Sequence, residues 1–224
     1  MSPSGPCQGR LLWIGAEMPI DGQHATLESR ILEYRGNCEM TGLNPYLPPP
    51  TLGQGEPFQP DRILEIAMIA TDTDLRPLDE GLEMIVRTER HVLDSMNDWC
   101  IKQHGQTGLT KACLDSPHSL KDVDAACRAY VTRHFDAPAV IAGNSVHADL
   151  GFIRKDLPFL SSTLHYRIVD VSSLKILVAQ WYPSAPKPPK EKSDSQHRAM
   201  SDIRDSIEEL KHYRCHFFVD TDSQ

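Results

Sequence analysis

A chain of 224 residues and 25.1 kDa, 40% hydrophobic and 24% charged, has globular composition and enough apolar residues for one core of ordinary size. Its formal charge of −8 excludes a broad basic field that would hold long nucleic acid by counterion release, so a phosphate-bearing substrate would be small or metal-held. No apolar run approaches the roughly 18 residues of a membrane span, Met1–Arg10 lacks an apolar signal region, and six scattered cysteines form no C-x-x-C pair; these features point to an intracellular protein with reduced thiols and no membrane partner.

Taken in chain order, the first chemistry-bearing run is Asn37-Cys38-Glu39-Met40-Thr41-Gly42-Leu43, which follows a candidate strand at Ile31–Gly36. Alternation by two puts Asn37 and Glu39 on one face. Tyr46–Pro60, with five prolines, reads as an exposed loop. Arg62–Thr71 reads as a buried strand and Gly81–Arg87 as its antiparallel neighbour. Ser119 to Asp122 is a helix-start signal, followed by Val123, Cys127, Tyr130 and Val131 at helical spacing. Ala139–Ala142 is a short strand ending at Gly143-Asn144, and the pattern turns helical from Ala148. Ile168–Val171 is the next strand, with Ser172 or Ser173 capping a helix that carries Leu174, Leu177, Val178 and Trp181. A second proline loop, Tyr182–Gln196, leads to a last helix starting near Ser195, with Ala199, Met200, Ile203, Ile207 and Leu210 on one stripe. Strands alternating with helices predict a single α/β domain.

Three acids come from separate elements. Glu39 ends a strand, Asp149 opens a helix, and Asp202 lies inside the last helix, five residues after His197. A separation of five residues turns a helix through roughly 500°, which would leave His197 and Asp202 about 140° apart, so His197 is expected in the loop entering that helix. Carboxylates holding two Mg²⁺ ions, with a histidine near neutral pKa to deprotonate a water, would suit metal-assisted phosphoryl hydrolysis.

The runs CEMTGLNP (38–45), DRILEIA (61–67), DWC (98–100), HGQTGL (104–109), AGNSVHAD (142–149), LHYR (164–167), DVSSLK (170–175) and HRAMSDIRDSI (197–207) resemble, in order, the motifs of the oligoribonucleases, the short-RNA branch of the DnaQ-like DEDDh 3′–5′ exonucleases. The resemblance implies an RNase H-like mixed sheet flanked by helices, with an exonuclease domain over residues 37–217 and an atypical N-terminal segment over 1–36. It implies a homodimer that cuts short RNA and dinucleotides to nucleoside monophosphates with two Mg²⁺ or Mn²⁺ ions. Glu39, Asp149 and Asp202 resemble the metal ligands, with Asn37 at the fourth ligand position, and His197 resembles the general base. Leu43 resembles the wedge between two bases and Trp99 an aromatic lining the pocket. Ser145 and His104 resemble polar contacts to the scissile end. His165, Tyr166 and Arg167 match the segment that reaches the partner's site to grip a 5′-phosphate. Relatives of this kind include mitochondrial forms, so the mitochondrion and the cytoplasm are both open.

Two departures stand out. The family's first motif is Asp-x-Glu, and Asn37 offers a neutral oxygen where the aspartate belongs, which predicts weak hold on a second ion. Leu11–Ile14 looks like the strand that should run straight into that motif, yet 22 residues, 15–36, intervene. Gly15-Ala16-Glu17-Met18 imitates the motif weakly, with glycine at the aspartate position. Either strand assignment therefore lacks the first aspartate, and a catalytically impaired homologue that binds short RNA or dimerises is the alternative reading.

Overall fold

The computed structural model describes residues 9–18, 62–188 and 198–218. Five strands form one mixed sheet: β1 (Leu11–Glu17), β2 (Glu65–Thr71), β3 (Leu82–Ile85), β4 (Ala139–Gly143) and β5 (Leu164–Asp170). The spatial order is β3-β2-β1-β4-β5. β1 and β3 run antiparallel to β2, while β4 is parallel to both β1 and β5. All seven residues of β2 are buried, which explains its nearly continuous apolar sequence.

Alternation sends β1 side chains to two cores. Leu12 and Ile14 join Ile66, Met68 and Ala70 under helices α4 (Leu120–His134) and α5 (Val146–Asp156). On the opposite face, Trp13 joins Ala67, Ile69 and Ala142 under α8 (Ala199–Phe217), whose Ala199, Ile203, Ile207 and Leu210 form the expected stripe. A smaller cluster gathers Leu64, Leu93, Cys100, Leu109 and Cys113 from α1 (Arg90–Asp94), α2 (Asp98–Gln106) and α3 (Leu109–Asp115). Two further helices, α6 (Pro158–Ser161) and α7 (Val171–Trp181), flank β5.

Several expectations move by a few residues. The strand expected at Arg62 starts at Glu65, and that expected over Gly81–Arg87 is reduced to Leu82–Ile85. Ser119 and Asp122 form the capping box of α4. β5 begins four residues ahead of Ile168, so His165–Arg167 belong to the strand itself. The cap of α7 is Asp170, which accepts the Ser172 N–H at 2.9 Å, rather than either serine. The last helix runs from Ala199, and the start expected near Ser195 lies outside the described residues. The middle strand of the sheet is Leu11–Glu17, drawn from the 1–36 segment.

Tyr130 pins the edge of this sheet. Its buried hydroxyl donates to Asp79 Oδ1 at 2.7 Å and accepts the Ala70 N–H of β2 at 3.0 Å. Tyr130→Phe leaves a buried amide without its acceptor, and urea denaturation should show a loss of about 1–3 kcal/mol. An unchanged midpoint would mean that water replaces the hydroxyl at no cost.

Candidate active site

The parallel strands β1 and β4 end on the same side of the sheet, where ligand crevices of open α/β sheets form. Asp149 stands there, in the first turn of α5. The Asn144-Ser145 turn places it. Ser145 sits in the left-handed region at φ 53°, its N–H donating to Asp170 Oδ1 at 3.0 Å and Ser172 Oγ at 2.9 Å. The Asn144 side-chain amide donates to Ser206 and Glu209 on α8, both at 3.0 Å, and its oxygen accepts from Ser172. One turn thus ties β4, α7 and α8 together, and the Ser145 hydroxyl lies 3.2 Å from that of Ser172.

Asp149 Oδ1 accepts the Ala16 N–H of β1 at 3.0 Å. Burial pushes the Asp149 carboxyl up to about 7; that hydrogen bond opposes the shift, and the neighbouring Glu17 and Asp170 carboxylates add to it. Glu17 belongs to Gly15–Met18, the segment that imitates the motif weakly. It ends β1 opposite Glu65, and its Oε2 lies 3.7 Å from Nε2 of His104. His104, on α2, is 2% exposed and its Nδ1 has no hydrogen-bond partner. Its reach is therefore to Glu17 rather than to solvent.

Gly15 shares the Glu17 face of β1, two residues earlier, and α8 closes over it. A β-carbon built there would stand 3.2 Å from the Ala199 carbonyl oxygen and 3.3 Å from Ile203 Cγ1. At this edge the strand thus carries one acid where the resemblance implies two. Asp202 lies exposed in the first turn of α8, its N–H donating to the Arg198 carbonyl at 3.1 Å.

Trp99 is exposed on α2. On β5, an edge strand of the described sheet, His165 and Tyr166 stack with ring centroids 4.4 Å apart, and the Arg167 guanidinium lies 5.2 Å from the Tyr166 ring. Asn37, Glu39, Leu43 and His197 lie outside the described residues. Among the described residues no group of three or more His, Cys, Asp or Glu side chains gathers closely enough to hold a metal ion, although hard carboxylate oxygens such as those of Asp149 and Glu17 suit Mg²⁺ and Mn²⁺ chemically.

The sheet, its flanking helices and this acidic edge define an exonuclease with an RNase H-like fold, and the exonuclease family model matches residues 37–210. The fold resembles that of exonuclease I from Escherichia coli in a zinc-bound complex with single-stranded DNA, at a TM-score of 0.62 and 14% identity over 94% of this chain and 41% of that one. Exonuclease I of Methylocaldum szegediense gives 0.60 at 15% identity, covering 93% and 41%.

Within that class the chain belongs to the oligoribonuclease family. It is 41% identical over 183 residues to a probable oligoribonuclease of Schizosaccharomyces pombe, covering 81% of this chain and 66% of that protein. A Dictyostelium discoideum relative of the same description is 40% identical over 81% and 88%. The mitochondrial oligoribonuclease of Mus musculus is 41% identical over 81% and 71%.

Proposed function

We propose that this chain is a 3′–5′ exoribonuclease that degrades very short RNAs, down to dinucleotides, to nucleoside monophosphates. The observation that carries the reading is the acidic edge itself. Asp149, hydrogen-bonded to the end of the central strand and crowded by Glu17 and Asp170, is a buried carboxyl that a cation would relieve of its proton. Relatives named oligoribonuclease at 40–41% identity support the short-RNA substrate.

Asp149 and Asp202, with Glu39 and Asn37 as the resemblance implies and Glu17 as the geometry adds, are the residues for two Mg²⁺ or Mn²⁺ ions. Such ions supply Lewis-acid stabilisation of a phosphoryl group and lower the pKa of water. His197 then takes the proton of the attacking water. Leu43 wedges between bases, exposed Trp99 offers a stacking face, and His104 steadies Glu17.

Tyr166 and Arg167 suit a phosphate, one by a hydroxyl and one by a bidentate fork. They lie on an edge strand beside α7, an apolar helix whose Ile176 and Trp181 are exposed, and this supports a homodimer in which the segment serves the partner's site. No helix among the described residues is long and apolar enough to cross a membrane. The mitochondrial relatives support an intracellular location, in the mitochondrion or the cytoplasm.

A series of RNA lengths from two to twenty nucleotides tests the substrate reading. Specific activity should peak at two to five nucleotides and fall steeply beyond, because a chain of net charge −8 gains little from counterion release along a long strand. Undiminished activity on twenty nucleotides would overturn it. Gly15 and Asn37 favour a second reading, a slow homologue that binds short RNA and dimerises without efficient turnover.

A further inference from the structure

Glu65 is a carboxylate with 0% exposure on the all-buried strand β2, a costly place for a charge unless it is paired. Its partner is Arg198, the residue before α8. The Arg198 Nε donates to Oε1 and Oε2 of Glu65, each at 2.9 Å, its Nη2 adds a contact to Oε1, and Nη2 also reaches Glu83 Oε1 at 3.1 Å. Arg198 is the N-cap of α8 yet makes no side-chain cap; the Glu65 carboxylate accepts the Ala199 N–H at 3.4 Å in its place. Glycine at position 15 lets the same first turn lie against β1. The entry of α8 is therefore held by a charge on one strand and a missing side chain on the next.

We infer that the Glu65–Arg198 pair is a positioning clamp that sets the first turn of α8, and with it Asp202, against the acidic edge. An apolar pair of the same size would hold the helix at lower desolvation cost, whereas a bidentate fork fixes orientation as well as distance. Asp202 is one helical turn beyond Arg198, bonded to its carbonyl, so a rotation at Arg198 passes directly to the Asp202 side chain. Neither Glu65 nor Arg198 touches substrate; both act through Asp202. The inference rests on Asp202 having the metal-binding role proposed above.

Three measurements on the full chain test it, using Arg198→Met, Glu65→Gln and Arg198→Lys. Hydrogen exchange of the amides at 199–202 should accelerate about 100-fold in Arg198→Met, while α4 changes by less than about threefold. Calorimetric titration with Mn²⁺ alone should show affinity falling about tenfold. On an RNA dinucleotide, kcat should fall about 100-fold with KM within about threefold, Glu65→Gln should match, and Arg198→Lys should fall between, keeping the charge without the fork. Exchange that rises uniformly across the molecule, or stays at parental rates in the first turn of α8, overturns the clamp; so does parental Mn²⁺ affinity in Arg198→Met. A parent chain without activity on any RNA, whose exchange and Mn²⁺ affinity respond as stated, would overturn the proposed function and leave the clamp standing.

Discussion

Deleting residues 15–36 together with Asn37→Asp should raise turnover on an RNA dinucleotide by about 10²- to 10⁴-fold over the parent. The arithmetic is that of an anion restored: about 3–5 kcal/mol of transition-state stabilisation at 1.36 kcal/mol per factor of ten. The structure gives this expectation its form. β1 continues through Gly15 and Glu17, opposite Ala67 and Glu65, so the first residues of the intervening segment hold the strand end. The deletion joins Ile14 to residue 37, which puts the new aspartate in the place of Gly15 and Glu39 in the place of Glu17. The aspartate Cβ then needs the first turn of α8 to yield by a few tenths of an ångström at Ala199, a small shift next to the gain of a ligand. Asn37→Asp alone should give much less, because β1 would keep Gly15 at that position. Equal kcat for parent, point variant and deletion variant would show that the position takes no part in catalysis.

The second large effect is at Asp149. Asp149→Asn should abolish turnover, since it removes the charge proposed to hold the metal ions, and at the same time stabilise the metal-free chain at alkaline pH. The sign follows from linkage. The folded-state pKa is raised from 3.8 to about 7, so between those values the unfolded chain binds fewer protons than the folded one and stability falls as pH rises. The penalty is absent below about pH 4 and complete above about pH 7, on the order of 2–4 kcal/mol. Asparagine cannot ionise and keeps an oxygen for the Ala16 N–H, so urea denaturation in EDTA should favour the variant at pH 8 and show near-equality at pH 4. Mn²⁺ should stabilise the parent and not the variant. A variant less stable than the parent at pH 8 would show that the Asp149 carboxylate carries no burial penalty.

Much of this was legible in the sequence because the signals were local. Short apolar runs mark β2 and β4, period-3.6 patterns mark α4 and α8, and the Ser119–Asp122 capping box marks the start of α4. The short helices α1 to α3 escaped because their apolar residues serve a small satellite core and α2 is polar for most of its length. Glu17 was passed over because glycine two residues before it hides the motif, and only the register of β1 against β2 shows that it ends the middle strand. The Glu65–Arg198 pair spans 133 residues, a separation at which no spacing rule operates. Asp149 was readable as an acid opening a helix and Asp202 as one inside the last helix, but the upward shift at Asp149 comes first from its burial and then from Glu17 and Asp170, which β1 and β5 bring beside it.

The most direct measurement is chromatographic analysis of an RNA dinucleotide incubated with the parent chain and with the deletion-plus-Asn37→Asp variant, in Mn²⁺ and in excess EDTA. Nucleoside 5′-monophosphates are expected from both chains in Mn²⁺, slowly from the parent and rapidly from the variant, and none from either in EDTA. Product formed at the same rate in EDTA, or no product from either chain in Mn²⁺, would contradict it.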